Sequence, residues 1–304
     1  MKLFKSKNRK STGDRILHLV FHLIMIFLAF MCVYPFLVIV GSSFASQESI
    51  VNNGYRILPD PISLEAYKSI FNNPKQLSDA YFITIIVTVV QTFLGLALTS
   101  TLGYVLSRRD YPYRRFLSMY VFFTMLFNGG LVPTYILISN WLGLQDSIWA
   151  LIIPGMCSAW NIMLMKGFFM SIPTSLIESA KIDGAGEFRI FLQIIMPLSK
   201  PAFATLGLLM VLTGWNAWYS SLLYITSDNK VMLQYLLMKI MKNIEFMQSA
   251  EGQQLVGTVD AQIEVPSQAL RMAMCVLATG PILIVFPFFQ KYFTKGLTVG
   301  SVKG

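Results

Sequence analysis

Six apolar stretches, none with an Asp, Glu, Lys or Arg in its core, constrain this chain more than any other feature. They run at about 16–40, 80–106, 116–137, 148–165, 202–224 and 272–290. Each is close to or above the roughly 20 residues that a helix needs to cross a bilayer core. A charge at mid-membrane costs roughly 2.5–3.5 kcal/mol on insertion scales, so uncharged runs of this length are what lipid selects. Water demands the opposite. A soluble domain carries about 25% charged residues, whereas here 13% are charged and 55% hydrophobic. The expected fold is an all-α integral membrane protein with about six transmembrane helices. The first run is followed by Ser43-Phe44-Ala45, which resembles a cleavage site. It is too long for the apolar core of a secretory signal, about 7–15 residues, and is expected to be a retained span.

Orientation follows from the basic residues. Of the 24 Lys and Arg, 17 fall on one side: before the first span, at Arg108, Arg109, Arg114 and Arg115, between Lys166 and Lys200, and at the C-terminus. Both termini are therefore expected in the cytoplasm of a multi-pass cell-membrane protein. The net charge of +9 is explained by topology and does not call for nucleic acid. The organisation expected is a basic cytoplasmic N-terminus over 1–15, a first transmembrane helix with an external loop over 16–79, a core over 80–292, and a cytoplasmic tail over 293–304.

Within the spans, Gly95, Thr99 and Gly103 recur every four residues, a small-residue stripe for close helix contact. Gly129, Gly130 and Pro133 interrupt the third run, and Pro35, Pro154, Gly280, Pro281 and Pro287 offer bends elsewhere. His18 and His22 share a helix face, but no third ligand stands near them, so no metal is expected. Cys32, Cys157 and Cys275 sit singly in apolar runs and are expected to be buried packing residues. In the external segment from about 226 to 268, Met232, Leu233, Leu236, Leu237, Ile240 and Ile244 predict an amphipathic helix at the membrane interface.

The connection between the fourth and fifth spans, at 171–200, holds a cytoplasmic helix–turn–helix. Ser175 and Glu178 form an S-x-x-E capping box behind Pro173. Gly184 and Gly186 stop that helix. A second helix is predicted from about Glu187 to Met196, with Phe188, Phe191, Leu192 and Ile195 on one face, ended by Pro197 and Pro201.

At these residues the chain resembles the permease subunits of ABC importers. Their signature is E-A-A, a Gly six residues after the Glu, and I-x-L-P ten residues beyond that Gly. Here Glu178-Ser179-Ala180 leads to Gly184, and then to Ile194-Ile195-Met196-Pro197. Ser179 stands for an Ala and Met196 for the Leu. Asp183-Gly184-Ala185 matches the sugar branch. Trp215-Asn216 and the C-terminal run from Gln290-Lys291-Tyr292-Phe293 to Lys303-Gly304 are similar to maltose-type carbohydrate permeases, nearest to the oligosaccharide permeases of Gram-positive bacteria.

The resemblance implies a transporter subunit and no enzyme. It would form half of a translocation pathway with a second permease subunit, for a carbohydrate delivered by an extracellular solute-binding lipoprotein. It implies two ATPase subunits, which use ATP and Mg, and a coupling element at Glu178, Ser179, Ala180, Asp183, Gly184, Ile194 and Pro197. Ala180 would be small enough for close approach to a groove on the ATPase. The sequence agrees: it holds no G-x-x-x-x-G-K-[ST] phosphate loop, so the chain is expected to bind no cofactor of its own. For a sugar pathway, aromatic faces and amides within spans are candidates: Trp160, Asn161, Trp215, Asn216, Trp218 and Tyr219. A permease for another solute, such as a peptide or polyamine, keeps the same coupling loop. A secondary transporter or channel would normally carry intramembrane ionisable residues.

Overall fold

A computed structural model of the chain describes residues 12–72, 74–249 and 267–300. Among them the regular structure is helical, with one isolated bridge between Ala45 and Ile62. In chain order the helices are α1 (Thr12–Ser42), α2 (Gln47–Asn53), α3 (Glu65–Ile70), α4 (Pro74–Ser107) and α5 (Arg114–Leu126). Next come α6 (Leu131–Ile136, extended by a π turn Leu137–Trp141), α7 (Ile148–Met156), α8 (Ala159–Met170) and α9 (Thr174–Ile182). The last are α10 (Glu187–Leu198), α11 (Lys200–Trp215), α12 (Tyr219–Tyr224), α13 (Leu233–Gln248) and α14 (Ser267–Gly300).

Two compact units divide these helices. One comprises residues 12–72 with 267–277, the other 74–249 with 278–300. In the first, Ser43 Oγ meets Tyr67 Oη at 2.8 Å, Tyr55 Oη donates to Gln268 Oε1 at 2.8 Å, and Gln47 Oε1 accepts the Gln268 N–H at 3.0 Å. The apolar stretch Ile16–Ser42 of α1 buries none of its most hydrophobic window inside the chain, the state expected of a helix that lipid surrounds.

The second unit is organised around α4, which packs against α7, α8 and α11. The small-residue stripe is the reason. A Cβ on Gly95 would stand 2.9 Å from the Met156 carbonyl oxygen, and one on Gly103 would stand 3.1 Å from Met165 Cβ. Thr99 between them is fully buried. Without a hydrophobic force between helices in lipid, such close backbone approach supplies much of the association energy.

Three helices, Ile16–Ser42 of α1, α4 and Gln268–Gln290 of α14, are long and apolar enough to cross a membrane; counting each bent pair as one crossing brings the number up to six. The pairs are α5 with α6 (through Trp141), bent by 112°; α7 with α8, bent by 44°; and α10 with α11, bent by 80°. The first bend has a local cause: Gly130 takes φ +90°, and its N–H donates to Asn128 Oδ1 at 2.9 Å. At the third, Pro201 provides no N–H to continue the ladder across Ser199.

Four expectations change. The fifth stretch does not run as one helix through 202–224. It stops at Trp215, because Asn216 Nδ2 donates back to the Leu212 carbonyl at 2.8 Å and competes with the backbone. The amphipathic helix α13 does not lie apart at an interface: Met232, Leu233, Leu236 and Leu237 are buried in the unit. Its first N–H, of Leu233, is accepted by Thr84 Oγ1 at 2.8 Å, and the Met232 N–H by Ser221 Oγ at 3.1 Å; a helix start docked by two foreign hydroxyls is pinned to the bundle. In α10 the inward residues are Ile190, Phe191 and Ile195, while Phe188 and Leu192 are exposed, and a π turn runs over Phe191–Ile195. All three cysteines lie exposed; an apolar run in a membrane helix faces lipid as readily as protein. Residues 1–11, 250–266 and 301–304, which hold parts of the predicted basic terminus, external segment and tail, lie outside the described residues, and α14 continues to Gly300 through most of that tail.

Gly103→Leu should overpack the contact of α4 with α8, costing about 1–3 kcal/mol. Gly167→Leu, where a Cβ meets nothing within 4 Å, is the matched control. Thermal unfolding in detergent should separate them by several degrees; equal melting would remove the stripe from the account of the bundle.

Candidate coupling loop and pathway residues

The loop between α8 and α10 is built by its own local chemistry. Helix α9 begins at Thr174 with Pro173 as the preceding residue, and no side chain caps it. The expected capping box is therefore absent. Ser175 lies inside the first turn, and Glu178 is exposed and makes no ion pair among the described residues. The C-terminus is as predicted. Gly184 adopts φ +77°, its N–H bonds to the Lys181 carbonyl at 3.0 Å, and the Ala185 N–H reaches the Ala180 carbonyl at 2.9 Å. These two bonds make a Schellman turn, which favours glycine at this position. The chain then starts α10 at Glu187.

One side of this hairpin packs inward. Ile177, Ala180, Ile190, Phe191 and Ile195 join Tyr104, Met165 and Phe169 in one buried cluster, with Ile194 against it. Ala180 thus faces the chain's own core, where its small size lets α9 pack on the bundle. Pro197, Glu178, Ser179 and Asp183 are exposed. So are two large apolar side chains, Ile182 at 86% and Phe188 at 75%.

A second set of residues holds the hairpin from behind, and these were not singled out from the sequence. Lys181 Nζ bonds Asp110 Oδ2 at 2.7 Å and Glu187 Oε1 at 2.8 Å. Arg108 Nη2 bonds the same two carboxylates at 2.9 and 3.3 Å, and Tyr104 Oη donates to Glu187 Oε2 at 2.6 Å. The guanidinium also stands 5.8 Å from the Tyr104 ring centre. The square ties the end of α4 and the following turn to both helices of the loop. Opposite charges in the two connections were the available signal, but their pairing crosses more than 70 residues.

The hydrogen bond from Lys181 holds the Asp110 carboxyl below its ordinary range. Burial alone would raise Glu187, yet Lys181, Tyr104 and Arg108 outweigh it and its carboxyl is lowered too. Asp110, then Glu187, raise the Lys181 ammonium. Lowered carboxyls contribute stability present above about pH 4 and lost as pH falls through their folded values; a raised lysine contributes stability present below about pH 10 and lost above it. The brace is thus complete across neutral pH.

At the other end of this unit, Asp146 closes a loop at φ +57°. Its carboxylate accepts the Thr226 and Ser227 N–H groups at 3.0 and 2.9 Å, the Ser227 hydroxyl at 2.6 Å and Lys230 Nζ at 2.8 Å. Lys230 first, with these donors, holds its carboxyl well below the ordinary range.

The pathway candidates occupy different settings. Asn216, Trp218 and Tyr219 border an open hollow of about 540 Å³ at the break between α11 and α12. Trp218 and Tyr219 meet edge to face, ring centres 5.4 Å apart. Trp215 is buried, and its Nε1–H donates to the Ala278 carbonyl at 2.9 Å. Trp160 is exposed on α8 and Asn161 half-buried beside it.

The family model described as binding-protein-dependent transport system inner membrane component matches residues 5–299. The chain belongs to this family. A binding-protein-dependent inner membrane component is the non-enzymatic permease subunit of an ABC importer, so the hairpin and the bundle are those of a transport protein. Among its relatives is the polygalacturonan/rhamnogalacturonan transport system permease protein YtcP of Bacillus subtilis, 39% identical over 96% of this chain and 99% of that protein. Another is the arabinooligosaccharides transport system permease protein AraQ of Halalkalibacterium halodurans, 27% identical over 91% and 94%. A chain in the crystal structure of a bacterial ABC transporter involved in the import of the acidic polysaccharide alginate superposes with a TM-score of 0.76 at 31% identity, covering 93% of this chain and 98% of that one.

Two outcomes test the loop. At pH 7, Lys181→Met should raise hydrogen exchange across α9 several-fold, and adding Asp110→Asn should add little, since the two share one network; strictly additive effects would dissolve the brace. Gly184→Ala, in a left-handed conformation, should cost about 1–2 kcal/mol, and Gly184→Asn less. Equal melting of the two variants would argue against the turn.

Proposed function

We propose that this permease subunit pairs with a second permease subunit to carry a carbohydrate, of oligosaccharide size, from an extracellular binding protein into the cell. Two ATPase subunits drive the cycle with ATP and Mg. The observation that carries the reading is the helix–turn–helix at 174–198, which presents exposed Glu178, Ser179, Ile182, Asp183 and Phe188 on one side while its other side is locked to the bundle. A surface that must transmit movement needs both properties. Docking of an ATPase subunit on Ile182 and Phe188 would push α9, and the Arg108–Asp110–Lys181–Glu187 square would pass that push to α4. Gly184 and Ala180 shape the element, and Ile194 and Pro197 complete its return to the membrane. Glu178, without a capping role or an ion pair, is available for a charge contact with the ATPase.

The substrate class rests on the relatives, whose names refer to polygalacturonan/rhamnogalacturonan and to arabinooligosaccharides, and on the hollow at the α11–α12 break. Asn216 offers an amide to sugar hydroxyls, and Trp218 and Tyr219 offer ring faces. Trp215 serves this site from behind as a packing residue, and Trp160 and Asn161 belong to a separate stretch of the pathway. The basic bias supports cytoplasmic termini, with the coupling loop on the same side and the Asp146–Lys230 clamp outside.

Uptake of radiolabelled oligosaccharide by proteoliposomes should require the ATPase subunits, ATP and a loaded binding protein; uptake driven by a proton gradient in this chain alone would overturn the reading. Ile182→Asp with Phe188→Asp should abolish ATPase association while the bundle melts normally. Normal transport by that variant would remove the loop from the coupling role. With Cys32, Cys157 and Cys275 replaced, new cysteines at Ser171 and Asn229 should label from opposite sides of intact cells, and labelling of both from outside would invert the topology.

A further inference from the structure

The loop-bearing end of the second unit contains another feature that neither coupling nor the sugar hollow uses. A cavity of about 420 Å³ opens there between α5 and α8, lined by Arg114, Arg115, Ser118, Met119, Phe122 and Lys166. Three of its six lining residues are cationic and none is acidic. Among the described residues, none of the three forms an ion pair. Lys166 Nζ donates to the neutral Ser118 hydroxyl at 2.8 Å, and Arg114 Nη2 approaches only the Met170 sulfur at 3.8 Å. Arg114, Ser118 and Lys166 are half-buried, and Arg115 is exposed at the mouth.

Clustered, part-buried cations without a counter-charge repel one another and are costly to desolvate. The neighbouring network shows the contrast. Arg108 and Lys181, a few residues away in sequence or fold, each have two carboxylates. The cavity also begins at the first turn of α5, the positive end of the helix dipole. One part of its wall is apolar, formed by Met119 and Phe122, both exposed. A wholly aqueous anion has no use for that wall.

We propose that this cavity binds the phosphate of an anionic phospholipid headgroup. Arg114 and Arg115 would fork the phosphate oxygens, as guanidinium groups do, Lys166 and Ser118 would donate from the α8 side, and Met119 and Phe122 would receive the glycerol and upper acyl carbons. Basic pockets between transmembrane helices suit such headgroups. Because α8 leads directly into the coupling hairpin and packs on α5, a lipid here would brace the span that precedes the hairpin. Assignment to the cytoplasmic leaflet rests on the orientation proposed above; binding itself does not.

The test uses the complete importer, delipidated in detergent and re-supplied with phosphatidylglycerol or phosphatidylcholine, then read by native mass spectrometry. Wild type should retain phosphatidylglycerol at least ten-fold better than phosphatidylcholine. Arg115→Glu, which changes an exposed side chain, should abolish that preference, as should Lys166→Gln, whereas Arg109→Gln on the adjacent connection should keep it. Titration with inorganic phosphate separates the two sources of the same chemistry. Retention of phosphatidylglycerol in millimolar phosphate supports the lipid, while full displacement, with phosphate bound in its place, overturns it. Equal retention of both lipids, or an unchanged preference in Arg115→Glu and Lys166→Gln, also overturns the proposal, and shows the cavity closed or filled by another subunit.

Discussion

Close approach of helix backbones along α4 is the contact on which the second unit depends. Lipid removes the usual reason for helices to associate, since an acyl chain is as apolar as a leucine. What remains is contact area and hydrogen bonding, and α4 supplies both. Gly95 admits the Met156 carbonyl at a distance that a methyl group would forbid, and Gly95 and Gly103 bring Met210 and Met165 so close that a methyl group would push them back. Ten residues into α4, Thr84 accepts the first N–H of α13. At its far end, Tyr104 joins the buried cluster under the hairpin and reaches Glu187. One helix thereby connects the face bearing the Asp146 clamp to the face bearing the loop.

The division of labour in the hairpin follows from that connection. Its inner side is apolar and packed, and its flank is fastened by four charges sharing contacts in a square. Single surface ion pairs contribute little, but here Arg108 is 12% exposed and each carboxylate has two cations. A network of this kind orients more than it stabilises. The outer side leaves Ile182 and Phe188 exposed, as the proposed docking of an ATPase requires. Rigid behind and exposed in front is the arrangement expected of a part that converts force from one subunit into tilting of another.

Breaks in the spans have the complementary role. The bends at Asn128–Gly130, Cys157–Ser158, Ser199 and Asn216–Trp218 free backbone groups and polar side chains inside a bilayer-sized protein, where such groups are tolerated only if they line protein or a cavity. The hollow beside Asn216, Trp218 and Tyr219 lies at one of these breaks. A continuous helix through that stretch would have presented the same residues as an ordinary outer face.

Hydrophobic run length, charge placement and glycine spacing are local properties, and for that reason the sequence by itself determined the helical class, the membrane setting, the family signature and the turn at Gly184. A left-handed turn needs its glycine wherever the helix sits, and a span needs its uncharged core whatever surrounds it. Tertiary structure alone decided which side of each helix faces inward. Ala180, expected to meet a partner, is buried, and Phe188 and Leu192, expected to share a face with Phe191 and Ile195, are exposed while those two are buried. Only the fold could bring Arg108 and Asp110 to Lys181 and Glu187, or Thr84 to Leu233, since these pairings join residues 70 to 150 positions apart. Capping at Ser175 failed for the same reason: Pro173 and the packing of Ile177 set where α9 begins, and a local motif cannot override a start chosen by the core beneath it.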